Sequence, residues 1–197
     1  MTAPTVDVHS EIAAAVEAYR ADANIAFLLA RIERVARATD PETLASAVEQ
    51  FRGMPEVAGP AYERIVAARP DDARALVILA NAYWLAGRGP EHVAELASRA
   101  MAADPTHRGA WHLWALTEPD LRSRVSRWRQ VADRFPDDLL ARANLADNAA
   151  SLASTDHDRE ALDLAIATYS QLRALAQRDD ERQALDRAIE TLRNWRL

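Results

Sequence analysis

The chain says one thing repeatedly. "PDD" at 70–72 is followed by "ARALVILANAYW", and "PDD" at 136–138 by "LLARANLADNAA". Counting from Pro70, the ninth residue on is Leu79 and the tenth is Ala80. From Pro105 the same count reaches Trp114 and Ala115, and from Pro136 it reaches Leu145 and Ala146. The three prolines stand 35 and 31 residues apart. A period of that size is the length of a helix pair. A pair buries one apolar face within itself and leaves another open, which only the next pair can cover. The small alanine marks where two helix axes cross closely.

Composition agrees with helices. Apolar residues make up 49% of 197 residues, and glycines number only five. No run of alternating β-branched or aromatic residues is long enough for a strand. Caps and stops divide the chain into eleven expected helices: 9–21, 24–38, 41–52, 58–68, 72–86, 90–103, 107–117, 119–134, 138–152, 158–177 and 180–195. Asp40-Pro41 and the pairs Asp71-Asp72 and Asp137-Asp138 read as helix starts. Asp180 with Gln183 resembles a capping box, and "STDHD" at 154–158 reads as a loop.

The pattern resembles the tetratricopeptide repeat, W-x2-L-G-x2-Y in a first helix, A-x3-F in a second, then a closing proline. The best copy is Leu76-x2-Leu79-Ala80-x2-Tyr83, then Val93-x3-Ala97, Ala100 and Pro105. The next has Trp111-x2-Trp114-Ala115, but Glu118 where the aromatic belongs; its second helix carries Trp128, Val131 and closing Pro136. A third has Leu145-Ala146 and Ala165-x3-Tyr169, without a closing proline. Upstream, Leu44-x2-Ala47-Val48-x2-Phe51 and Ala58-x3-Tyr62 make a weak copy whose second helix is interrupted by Gly59-Pro60.

The resemblance implies an all-α, right-handed α-solenoid of helix-turn-helix repeats. Residues 41–178 form about four degenerate pairs. Residues 1–40 form an N-terminal helical cap, with Ile12, Val16 and Tyr19 on one face of its first helix. Ile25, Leu28, Leu29, Ile32 and Val35 line its second. Residues 179–197 form a C-terminal capping helix, sealed by Ala184, Ile189, Leu192 and Trp195.

There is no cysteine, which removes disulfides, thiolate nucleophiles and cysteine-held metals. His9, His92, His107, His112 and His157 show no metal-ligand spacing. The paired aspartates are explained by capping, and neither a phosphate loop nor a nucleophile motif is present. The expectation is therefore no enzyme, no catalytic residue, no metal and no cofactor. All 24 basic residues are arginines, and the net charge of −6 gives no bulk attraction to nucleic acid. The arginine-rich stretch 120–130 reads as an amphipathic helix around Leu121, Val125, Trp128 and Ala132. Nucleic acid is not expected as a partner. No apolar window spans a membrane and no signal sequence is evident, so a cytoplasmic protein is expected.

A second stripe runs along the best repeat. Arg74, Val77, Asn81 and Trp84 follow helical spacing about 120° from the stacking face. The resemblance implies that this stripe lines a concave groove for a partner peptide. Asn81 would grip its backbone and Trp84 would anchor a side chain. A structural role for both, Trp84 packed on a neighbour and Asn81 in water, is the alternative. His112 is the equivalent in the next repeat, with Asn144 and Asp147 in the one after. Capture of a terminal carboxylate, as in some relatives of this family, is not expected: Val77, His112 and Ala143 stand where cations belong, and Asp147 would repel it. The expected function is a protein-interaction scaffold with a protein or peptide partner. The rival readings are a constitutive subunit of a larger assembly, including a membrane-associated one, and a nucleic-acid-binding helical protein.

Overall fold

The computed structural model describes residues 7–196, and among them it contains eleven α-helices and no strand. In order these are α1 (Val8–Asp22), α2 (Ile25–Ala38), α3 (Pro41–Val48), α4 (Pro55–Ala68), α5 (Ala73–Leu85), α6 (Pro90–Ala103), α7 (Arg108–Leu116), α8 (Leu121–Arg134), α9 (Leu139–Asp156), α10 (Arg159–Leu175) and α11 (Asp179–Arg193). A 3-10 turn, Glu49–Phe51, follows α3. The odd-numbered helices α1 to α9 begin at residues 8, 41, 73, 108 and 139, close to the proline spacing of the sequence.

Aspartates start most of these helices. The side chains of Asp7, Asp40, Asp72, Asp120, Asp138 and Asp158 each accept from a backbone N–H in the first turn, and Asn24 does the same for α2. Each such cap satisfies an N–H that the helix leaves unpaired at its start. Three boundaries and one cap depart from expectation. α4 begins at Pro55 and carries Pro60 inside it. Pro60 sits only one turn in, so it forfeits a single bond to the carbonyl four residues back, and the helix continues. α8 begins after Pro119, with Asp120 as its cap. α9 runs through "STD" to Asp156, and His157 ends it in the left-handed region at φ 51°. α11 has no side-chain cap: Asp180 pairs instead with Arg178, and Asp179 with Arg182 at 2.8 Å.

The chain divides into two compact units, Met1–Leu113 and Trp114–Leu197. In the first, α1 packs on α2, α3 on α4 and α5 on α6. Successive hairpins meet through α1 with α3, α2 with α4 and α4 with α5. Residues 8–38 thus form a hairpin like those that follow. Leu44, Ala47, Val48, Leu76, Ala80, Val93, Ala97 and Ala100 are wholly buried. Ile12, Val16, Leu28 and Ile32 are buried as their helical spacing predicts, whereas Ile25 is 46% exposed. In the second unit α8 packs on α9, α9 on α10 and α10 on α11. There Ala115 and Ala146 are wholly buried, Leu145 nearly so, and Ile189 and Leu192 of α11 are covered. Ala184 is exposed and Trp195 half-buried.

Two outcomes test this account. Ala80→Leu should lower unfolding stability in urea by about 1–3 kcal/mol, because a closely packed crossing has no room for three more carbons. Ala102→Leu, on the exposed side of α6, should change it by less than about 0.5 kcal/mol. The caps set the acid response. Backbone N–H groups, that of Thr43 at Asp40 and that of Ala161 at Asp158, hold these carboxyls below their ordinary 3.8. A folded-state pKa below the unfolded one adds stability that is complete above about pH 4 and is lost as pH falls through the lower value. A double variant Asp40→Asn, Asp158→Asn keeps cap acceptors that do not titrate. Its unfolding midpoint should fall less than the wild type's between pH 5 and pH 2.5.

Candidate interaction site

Helix α5 carries two stripes with different fates. Leu76, Leu79 and Ala80 are buried against the neighbouring helices. About a third of a turn around, Arg74, Asn81 and Trp84 are exposed, and Val77 between them is 7% exposed. These four line one open hollow of about 560 Å³, joined by Ile78 and Leu85 of the same helix. Arg52 and Gly53, just after the 3-10 turn, and His107, just before α7, complete it.

The wall is mixed in character. Trp84 is 43% and Leu85 61% exposed, so an aromatic plane and an aliphatic side chain face solvent together. Asn81 donates from Nδ2 to the Val77 carbonyl at 3.0 Å. Its carbonyl oxygen bonds nothing among the described residues, so it can still accept a hydrogen bond. Beyond the lining at the other end, the Glu49 carboxylate takes N–H groups from Arg74 at 2.7 Å and from Arg52 at 3.0 Å, both on the same oxygen. The floor depends on Gly109. A Cβ there would stand 3.2 Å from Val77 Cγ1 and 3.3 Å from His107 Cε1, so glycine lets the start of α7 approach α5 and bring the imidazole in. His107 Nδ1 is buried without a hydrogen-bond partner.

The other sequence-derived residues lie elsewhere. His112 is half-buried on α7 and does not line this hollow. Asn144 and Asp147 belong to α9, in the second unit. Asn144 donates to the Leu140 carbonyl at 2.9 Å, the same back-bond that Asn81 makes. Asp147 already accepts the Tyr169 hydroxyl, whose pKa burial and then this bond drive upward. Sequence reasoning missed Arg52, Leu85 and His107, because their approach to α5 depends on how neighbouring hairpins lean. It also missed an apolar hollow of about 650 Å³ in the second unit, between the start of α9, the end of α10 and α11. Leu139, Leu140 and Leu175, each about half exposed, open into it. The available signal was the doublet Leu139-Leu140 directly after the Asp138 cap.

The arginine-rich helix α8 is largely engaged within its own unit. Arg122 pairs with Asp158 at 2.6 Å and Asp156 at 3.2 Å. Arg124 donates to Asn148 and to the Glu118 carbonyl. Arg127 lies over the Trp114 ring at 4.6 Å, pairs with Glu118 at 2.5 Å and donates to the Trp114 carbonyl. Among the described residues, no three His, Asp or Glu side chains come together as a metal site requires. No described helix is long and apolar enough to cross a membrane.

Comparison with solved structures identifies the architecture. A crystal structure of MamA protein superposes with a TM-score of 0.57 at 14% identity, over 87% of this chain and 97% of that one. TTC0263, described as a thermophilic TPR protein in Thermus thermophilus, gives 0.55 at 20% identity, over 92% and 98%. The structure titled MamA RS-1 ArsTM double mutant gives 0.59 at 15% identity, over 88% and 98%. The fold is a TPR-like helical repeat. No family model and no curated protein sequence matches the chain. At such identities the TPR-like likeness speaks for backbone architecture alone, and side chains must carry any reading of function.

The half-exposure of Trp84 can be checked directly. Trp84→Phe should remove a tryptophan component that acrylamide quenches readily. Trp128→Phe, at a position only 2% exposed, should remove a shielded component and leave the quenchable one.

Proposed function

We propose that the protein is an interaction scaffold that holds a segment of a partner protein in the hollow along α5. One observation carries this reading. Arg74, Val77, Asn81 and Trp84, chosen from helical spacing, line a single open hollow with an exposed aromatic plane beside an amide carbonyl that bonds nothing among the described residues. Such a surface suits an extended segment. The amide oxygen accepts a backbone N–H, and the indole covers a large side chain. Covering the remaining face of Trp84, about 100 Å², is worth roughly 2–3 kcal/mol before the cost of association. That makes Trp84 the expected hot spot, in line with the enrichment of tryptophan at such positions.

Parallel affinity capture from the source cells tests the reading. Wild-type bait should recover a stoichiometric protein partner. Trp84→Ala and Asn81→Ala baits should lose it, by tenfold or more for Trp84→Ala. Gln183→Ala, on the exposed side of α11, should retain it. Full recovery with the Trp84→Ala and Asn81→Ala baits would place the interface somewhere other than the α5 hollow.

A further inference from the structure

We propose that the segment held in the α5 hollow carries an acidic side chain four or five positions away from a large apolar one, with the acid at the Arg52–Arg74 end and the apolar residue on Trp84 and Leu85. This rests on the scaffold reading above and specifies its partner.

The charge pattern points to an acid. The protein's net charge is −6, yet no Asp or Glu lines this hollow. Its two arginines are 59% and 65% exposed at their side chains and share a single carboxylate, that of Glu49. Each guanidinium has five N–H donors and uses one on Glu49, so both retain donors in a fork that fits a second carboxylate. Within this trio one positive charge exceeds the single carboxylate, and the nearby Asp72 is engaged as the cap of α5. A partner carboxylate balances it; a partner lysine or arginine would be repelled.

The spacing follows from helix geometry. Arg74 and Trp84 are ten residues apart on α5, which is about 15 Å of axial rise. An extended segment advances about 3.3 Å per residue. Four or five steps therefore separate the group on the guanidiniums from the group on the indole. Asn81 stands between the two, one turn from Trp84, where its oxygen meets the backbone of the same segment. The hollow is open, so the segment can run on past the arginines, and the acid is a side chain within it rather than a chain terminus.

The test is selection of peptides displayed with no free carboxyl terminus, using the full chain as bait. Fluorescein-labelled, C-terminally amidated versions of the enriched peptides are then measured by anisotropy. Enriched sequences should contain Asp or Glu four or five positions from Trp, Phe or Leu. The double variant Arg52→Gln, Arg74→Gln should weaken them at least tenfold. Replacing the peptide's acid by its amide should weaken them equally on the wild type and add almost nothing on the double variant, since both changes remove the same contact. Apolar peptides without an acid preference, lost with Trp84→Ala but indifferent to the arginine variant, would overturn the acidic motif and leave the scaffold reading standing. Enrichment only after the carboxyl terminus is freed would do the same. Peptides indifferent to Trp84→Ala and to the arginine variant, or no enrichment in either format, would overturn both.

Discussion

Close approach of helices at buried alanines is the constraint on which the rest depends. Ala80, Ala115 and Ala146 each sit at the same place in a first helix, and each is wholly inaccessible. A methyl group at a crossing lets two backbones come together and brings the flanking large residues, Leu76 and Leu79 in α5, into contact with the next helix. In the first unit this produces a chain of hairpins in which α1 meets α3, α2 meets α4 and α4 meets α5. No hairpin there owns a complete interior. The core is a series of shared faces, so stability is a sum of local interfaces.

The same constraint produces the candidate site. When Leu76, Leu79 and Ala80 must face inward, the stripe a third of a turn away is left facing outward, and its content is no longer decided by packing. It holds Arg74, Asn81 and Trp84, three side chains with unlike chemistry on one rigid helix. A helix presents such a set at a defined rise and rotation, which a loop does not. The neighbouring segments then add to it. Arg52 arrives from the end of the α3 turn, and His107 from the turn before α7, admitted by the missing side chain of Gly109.

Polar pairs share out the arginines. On α8, Arg122, Arg124 and Arg127 are each held by acceptors of their own unit, and Arg127 also covers the Trp114 ring. Single exposed ion pairs of this kind contribute little to stability. Their consequence is positional: on a helix that reads as strongly basic, Arg122 and Arg127 are matched by carboxylates and Arg124 is held by neutral acceptors. At the α5 hollow the ratio is reversed, with two guanidiniums on one carboxylate. The difference between these two places is invisible in composition, since it depends on which carboxylates the fold brings to each arginine.

Period, the caps at Asp40, Asp72 and Asp138 and the crossing alanines were legible in the residue string, because each is a local rule. A helix start needs an aspartate at one position, a crossing needs a small residue at one position, and proline spacing repeats within a few dozen residues. Local rules failed at Pro60, where helix hydrogen bonding tolerates the loss of one bond near its start, and at residues 154–156, where polar residues continue α9 on its exposed side. The stripe of Arg74, Val77, Asn81 and Trp84 was also legible, since it lies on one helix. His112 lies outside the α5 hollow, because counting along a repeat fixes its rotation on α7 but not its approach to α5. The tertiary structure decided which residues meet across elements: Arg52, His107 and Gly109 on α5, and the leucines of α9, α10 and α11 around a second hollow. Those meetings depend on hairpin lean, a property of the summed packing of many side chains that no single residue carries.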